Sequence, residues 1–144
     1  MSQLPDPQSF GDQPLTPIQE IYRENILDHY REPHHHGLLE TADISEQGHN
    51  PICGDELGIS LQIGEHNTVS DICWTGHGCA ISQASMSMLS DQLVGMPLAN
   101  VLQLDKQTIF DMLGIPVGPA RMKCALLSLR TVQKGIMKYL TPPV

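Results

Sequence analysis

The residues in this sequence best equipped for chemistry are four cysteines and the polar side chains near them. Cys53-Gly54-Asp55 sets a thiol and a carboxylate two residues apart, across a glycine that lets the backbone turn tightly, so two metal ligands can converge there. Cys79 follows Gly76-His77-Gly78 and opens an expected helix, where free amides and the positive end of the helix dipole favour a thiolate. Cys124 falls about one turn inside a second expected helix, with Arg121 and Lys123 beside it to favour the same ionised form. Three sulfurs and one oxygen make a four-coordinate set suited to zinc, or a labile site for iron. The carboxylate is the weakest soft-metal ligand of the four and the natural one to exchange.

Each of these residues also has a plainer reading. The cysteines are separated in turn by 19, 5 and 44 residues, without the paired C-x2-C knuckles of a structural zinc module, so a closed zinc finger is disfavoured. A lone cysteine is more often a small buried apolar residue than a ligand. Asp55 fits a turn, and Arg121 and Lys123 fit a solvated helix surface. Spacing alone leaves the metal site and these readings in balance. Cys73 is assigned to packing, because in an alternating strand it points away from the face carrying Ile72 and Trp74. His34, His35 and His36 read as a solvated loop, with adventitious metal binding as the alternative. His49 and His77 stand behind Asp55 as reserve ligands. Met86, Met88 and Met96 are core filler.

The elements that must position these residues follow from local patterns. Thr16-Pro17-Ile18-Gln19 forms a capping box with proline at the first helical position. Ile18, Ile21, Tyr22, Ile26 and Tyr30 then recur at helical spacing as an expected core-facing stripe, until Pro33 ends it. The stretch from Pro33 to Asn50 is polar and expected to be loop or irregular. Two strands are expected near 56–63 and 69–75, joined through Gly64-Glu65-His66-Asn67 as a hairpin. A helix over about 79–94 carries Ile81, Ala84, Met88 and Leu89 inward and stops at Gly95. A shorter one runs from an Asp105 N-cap to Gly114, and a last one starts near Pro119 with Ala125, Leu129, Val132, Ile136 and Leu140 inward. Early strands followed by helices indicate an α+β domain.

Length and composition bound the rest. The chain has 144 residues, room for one core, read as a flexible arm at 1–16 with Pro5, Pro7 and Pro14 and a single domain at 17–144. Eight basic against sixteen acidic residues give a net charge of −8 with no basic run, which argues against a nucleic-acid partner and suits docking to a basic protein surface. Six aromatic residues are too few for a platform that stacks bases or sugars. No cationic start leads into an apolar run, and no run is long enough to span a bilayer, so the expectation is a soluble cytoplasmic protein without a membrane partner. In a reducing compartment, metal or thiol chemistry is a better use of the cysteines than disulfides.

Four segments carry a family resemblance: Asp28-His29-Tyr30 with Pro33 and Gly37; Asn50-Pro51-Ile52-Cys53-Gly54-Asp55; Gly76-His77-Gly78-Cys79-Ala80-Ile81-Ser82-Gln83-Ala84-Ser85; and Pro119-Ala120-Arg121-Met122-Lys123-Cys124-Ala125. In this order they resemble the NifU N-terminal, IscU and SufU family of iron–sulfur cluster assembly proteins, over about residues 17–140. The resemblance implies a SufE/NifU-like α+β fold, with a small, mainly antiparallel sheet packed against several helices. It implies a metal site of Cys53, Asp55, Cys79 and Cys124 and a pyridoxal-phosphate cysteine desulfurase as partner and sulfur donor. Its motifs are most similar to the SufU branch, where the metal is zinc and the protein accepts persulfide sulfur.

Two departures mix the branches. IscU-type proteins carry a histidine directly before the third cysteine, where this chain has Lys123. SufU-type proteins carry an insertion between the second and third ligand cysteines, whereas the 44 residues here match the shorter IscU length. The segment that IscU-type proteins show to an Hsp70-type chaperone is replaced by Ile115-Pro116-Val117-Gly118-Pro119, so that chaperone is not expected as a partner. The leading expectation is a zinc-binding acceptor of persulfide sulfur, in the manner of a zinc-dependent sulfurtransferase, with Cys53 as acceptor and Cys124 as runner-up. The alternatives are a scaffold for a transient [2Fe–2S] cluster passed to apo iron–sulfur proteins, and a purely structural zinc domain.

Overall fold

In the computed structural model, residues 14–51 and 54–141 are described. Helix α1 spans Pro17–Arg31 and begins at the expected capping box: the Gln19 amide donates to Thr16 Oγ1 at 3.2 Å and the Thr16 amide to Gln19 Oε1 at 2.9 Å. Its buried side corrects the expected stripe. Ile26 and Leu27 are buried, whereas Ile18 and Ile21 are exposed, because the helix meets the body of the protein through its C-terminal half.

Three antiparallel strands follow in the order β1 (Ile44–Asn50), β2 (Asp55–Ile63) and β3 (Val69–His77). Strand β1 lies where loop was expected. Apart from Ile44 it offers Ser45, Glu46, Gln47, Gly48 and His49, with no apolar alternation to betray a strand. It is an edge strand paired with β2 from Ile44↔Leu61 to Asn50↔Asp55. Strands β2 and β3 are joined by a 3-10 turn at Glu65–Asn67, where His66 and Asn67 adopt positive φ. Their register shifts at Gln62/Ile63, so Asp71 opposes Gln62 while Val69 opposes Ile63, and Ser70 is the extra residue. The shift turns Val69 into the core, although strict alternation placed it opposite Ile72 and Trp74.

Helix α2 (Ala80–Leu93) packs on β3, and α5 (Met122–Leu140) lies across β1 and β2. Helix α1 covers the outer side of α2, so α2 is buried nearly all round. Its serines are accordingly hydrogen-bonded: Ser85 Oγ, for instance, reaches both the Ala125 carbonyl and Ser128 Oγ of α5 at 2.8 Å. Short α3 (Leu98–Gln103), which the sequence did not suggest, and α4 (Lys106–Leu113) complete the body. Helix α4 has the expected caps, with Asp105 accepting from the Gln107 amide and Gly114 left-handed at φ 69°. In α5 the inward residues Ala125, Leu129, Val132 and Ile136 are buried, but Leu140 is exposed. The expected α+β class with a small antiparallel sheet is the observed one. Among the described residues no helix is long and apolar enough to cross a membrane.

Candidate metal centre

Three of the four expected ligand residues can be traced, and each reaches one end of the molecule by a separate route. Asp55 is the first residue of β2, just after the left-handed Gly54 (φ 72°), whose amide closes the hairpin turn onto the Asn50 carbonyl at 2.8 Å. Cys79 is the N-cap residue of α2. Cys124 is the third residue of α5, which is entered through a 3-10 turn at Pro119–Arg121. One donor atom each from Asp55, Cys79 and Cys124 lies within 4.8 Å of the other two. Cys53 lies outside the described residues.

The carboxylate of Asp55 links the elements. It is fully buried, and its Oδ1 accepts the Cys79 amide at 2.9 Å, so a residue of the sheet caps the start of α2. Its Oδ2 is buried with no hydrogen-bond partner among the described residues. An orphaned carboxylate oxygen in the interior is costly unless something positive meets it. The nearby thiol groups cannot fully offset that cost, whereas a divalent ion can. Gly78 allows the approach: at φ 151°, a Cβ built on it would stand 2.1 Å from Asp55 Oδ1. Donor chemistry, the orphaned oxygen and this side-chain-free cradle therefore all fit a thiolate-binding metal such as zinc or iron.

Asn50, also buried, directs its Nδ2 to Cys124 Sγ at 3.9 Å, a neighbour that ligand spacing did not single out. The Ser85 to Ser128 contact that ties α2 to α5 behind the two cysteines was likewise missed; the recurrence of serine along α2 was its only trace in the sequence. Beside the centre runs an open groove of about 380 Å³ lined by Gln47, His49, Asn50, Lys123, Arg130 and Lys134.

The other candidates lie elsewhere. Cys73 is half-buried on β3 and outside the cluster, and burial, then the charge of Asp71, pushes its thiol pKa up. His77 is exposed and meets Glu56 at 3.0 Å, and His49 lines the groove rather than joining the three donors. The histidine run is not a freely solvated loop. The Gly37 amide donates to the Trp74 carbonyl at 2.8 Å, the Trp74 amide to the His35 carbonyl at 3.0 Å, and Trp74 Nε1 to the His34 carbonyl at 2.8 Å. Trp74 thereby fixes the run to the edge of β3.

The fold and centre together define an α+β protein in which two helix starts bring thiols to a buried carboxylate at the start of β2. Residues 21–143 match the NifU-like N terminal domain, and the chain belongs to that family of iron–sulfur cluster assembly scaffolds. It is 31% identical to the zinc-dependent sulfurtransferase SufU of Bacillus subtilis over 84% of this chain and 92% of that protein. It is 33% identical to the iron–sulfur cluster assembly scaffold protein IscU of Aquifex aeolicus over 83% of this chain and 76% of that protein. Among solved structures, a SUF-system protein of Fervidobacterium islandicum is similar with a TM-score of 0.68 and 29% identity, covering 82% of this chain and 98% of the other. The N-terminal part of a NifU-like protein from Brucella abortus shares the fold at a TM-score of 0.69 and 22% identity, covering 85% and 96%.

Proposed function

We propose that this chain takes persulfide sulfur from a cysteine desulfurase, with Cys53, Asp55, Cys79 and Cys124 holding zinc at the acceptor site. The observation that carries this reading is the buried Oδ2 of Asp55, without a hydrogen-bond partner among the described residues and set among thiol donors, together with the likeness to a relative named a zinc-dependent sulfurtransferase. Zinc bound there would keep its thiol ligands deprotonated at neutral pH and hold the hairpin tip against the helix starts.

The chain's own residues do the rest. Asp55 is the hard oxygen donor in a soft set, so it is the ligand that most readily changes partner when the desulfurase docks. Cys53, directly before Gly54 in the sequence, is the acceptor: its thiolate attacks the outer sulfur of the enzyme's persulfide. A new S–S bond forms on Cys53, the enzyme's S–S bond breaks, and the enzyme's thiolate leaves, with no net oxidation. Lys123 and Arg130 along the adjacent groove form a local basic patch on an otherwise acidic chain. Next to the centre the desulfurase therefore meets positive charge, although the net charge favours a basic partner surface. We place this work in the cytoplasm, with apo iron–sulfur proteins as eventual recipients. Cys53→Ser is expected to abolish stimulation of a cognate desulfurase, and undiminished stimulation would refute the assignment; loss on Cys124→Ser with Cys53→Ser active would move the acceptor role to Cys124.

A second reading, assembly of a transient [2Fe–2S] cluster as cargo on the same residues, is favoured by the IscU-named relative and the 44-residue spacing between Cys79 and Cys124. Anaerobic reconstitution with iron and sulfide separates the two. A stable visible chromophore that passes to an apo-protein supports the scaffold, while retained zinc without a chromophore supports sulfur relay.

A further inference from the structure

A second group of donors gathers at the far end of α2, the helix that Cys79 caps, from α1, the loop after it and α2 itself. Asp91 follows Cys79 by 12 residues, which along α2 is roughly 18 Å, too far to share an ion. One donor atom each from His29, His34 and Asp91 lies within 4.8 Å of the other two. His34 Nδ1 is 2.6 Å from Asp91 Oδ2, and His35 Nε2 is 3.1 Å from Asp91 Oδ1, so two consecutive imidazoles bracket one carboxylate. The His29 ring lies against that of His34, with centroids 4.3 Å apart. We propose that His29, His34 and Asp91, with His35 beside them, form a second divalent-metal site, one that takes a borderline ion of the zinc and nickel class through imidazole and carboxylate.

Three features make this more than a cluster of surface histidines. First, the His29 ring is oriented from behind. His29 Nδ1 is engaged by Ser87 Oγ at 2.7 Å, and the same oxygen accepts the His34 backbone amide at 2.8 Å, which leaves Nε2 as the ligating nitrogen of His29. A hydrogen-bonded far nitrogen is what orients a ligand imidazole in metal sites. Second, the loop is held rather than free. The three hydrogen bonds to Trp74 and the edge-on contact of the His36 ring with the indole, at 5.0 Å, fix the backbone on either side of His35. His35 itself sits at φ 59°, a left-handed conformation that a non-glycine residue keeps only when its surroundings impose it. That conformation lets neighbouring residues both reach Asp91.

Third, the donors span buried and open ground. His29 is only 9% exposed, while the His34 and Asp91 side chains are 51% and 42% exposed, so an ion can enter from solvent against an anchored imidazole. Entry needs the 2.6 Å hydrogen bond to open to ordinary ligand separation, with loss of the proton it holds to solvent. Nitrogen and oxygen donors without thiolate suit zinc and nickel at an open, exchangeable site, unlike the sulfur-rich centre. The competing description is a purely structural latch, in which His34 and His35 clamp the loop to α2 and no ion binds.

The test uses the full chain without a polyhistidine tag, carrying whatever metal it retains on purification, titrated calorimetrically with nickel chloride. One added equivalent is expected, weakened by more than about tenfold in both His34→Ala and Asp91→Asn and unchanged in the remote control His66→Ala. The metal retained on purification should be the same in all four proteins. Absence of the added equivalent, or one that His34→Ala leaves intact, overturns the site in favour of the latch. Failure of the cysteine centre would instead appear as a purified protein lacking retained metal, with the His34-dependent equivalent still present.

Discussion

The two donor groups at the opposite ends of α2 differ in nearly every respect that governs metal chemistry. The group at its start is thiol-rich and largely buried, and it is assembled from three elements whose own backbones are regular. The group near its end is imidazole-rich and open, and it depends on a loop with a strained residue pinned to one indole. Asp55 has an oxygen left over, while both oxygens of Asp91 are engaged by imidazole. A buried carboxylate oxygen without a hydrogen-bond donor among the described residues favours a bound ion in the resting fold. A satisfied exposed pair can exist with or without one. The first group therefore suits long retention and the second suits exchange.

That contrast can be broken most sharply at Cys124. Cys124→Ser should strip the metal that survives gel filtration, measured by elemental analysis, while nickel binding at the histidine end persists; loss of both would mean that the two ends are one cooperative unit. Gly78→Ala comes next. Its Cβ would collide with Asp55 Oδ1, and φ of 151° is strained for alanine, so chemical denaturation should report a loss of about 1–3 kcal/mol together with weaker metal retention. Trp74→Phe keeps most of the buried ring but removes the donor to the His34 carbonyl. It should cost about 1 kcal/mol and weaken nickel binding while leaving the cysteine-end metal in place.

The smallest effect is expected at Glu46, which touches neither donor group. Lys138 Nζ, 2.9 Å away, holds its carboxyl pKa below the usual 4.5. A carboxylate lowered in the folded state stabilises it above pH 4.5, and that contribution disappears as pH falls through the lower folded value. Glu46→Gln should therefore destabilise by about 1 kcal/mol or less at neutral pH, since Lys138 is 65% exposed and screened. The variant and the parent should converge in acid, as followed by denaturation at several pH values.

The parts legible in the sequence were those with local physical signatures: the Thr16 capping box, the Asp105 cap, the Gly114 stop and the apolar stripe of α5 through Ile136. The ordered cysteine motifs likewise pointed to the convergence of Asp55, Cys79 and Cys124. What escaped depends on contacts distant in sequence. Strand β1 is polar because α5 approaches it through small residues. A Cβ on Gly48 would meet Thr131 Oγ1 at 2.0 Å and one on Gly135 would meet Ile44 at 2.9 Å, so closeness of backbones replaces apolar alternation as the reason for pairing. Ile18 and Ile21 follow a helical period yet remain outside, since period alone does not say how far along the helix the body extends. The histidine run read as solvent-facing because nothing local announces that Trp74, 40 residues after His34, will hold it.

The two oxygens of Asp55 have one further consequence. Oδ1 is tied to the Cys79 amide, and Oδ2 has no hydrogen-bond donor among the described residues. A ligand that lets go through Oδ2 remains moored through Oδ1, so opening the proposed centre need not unravel the first turn of α2 or cast the hairpin loose. The carboxylate then works as a swivel on a fixed pin, and the strand and helix it joins should stay in register through every turnover.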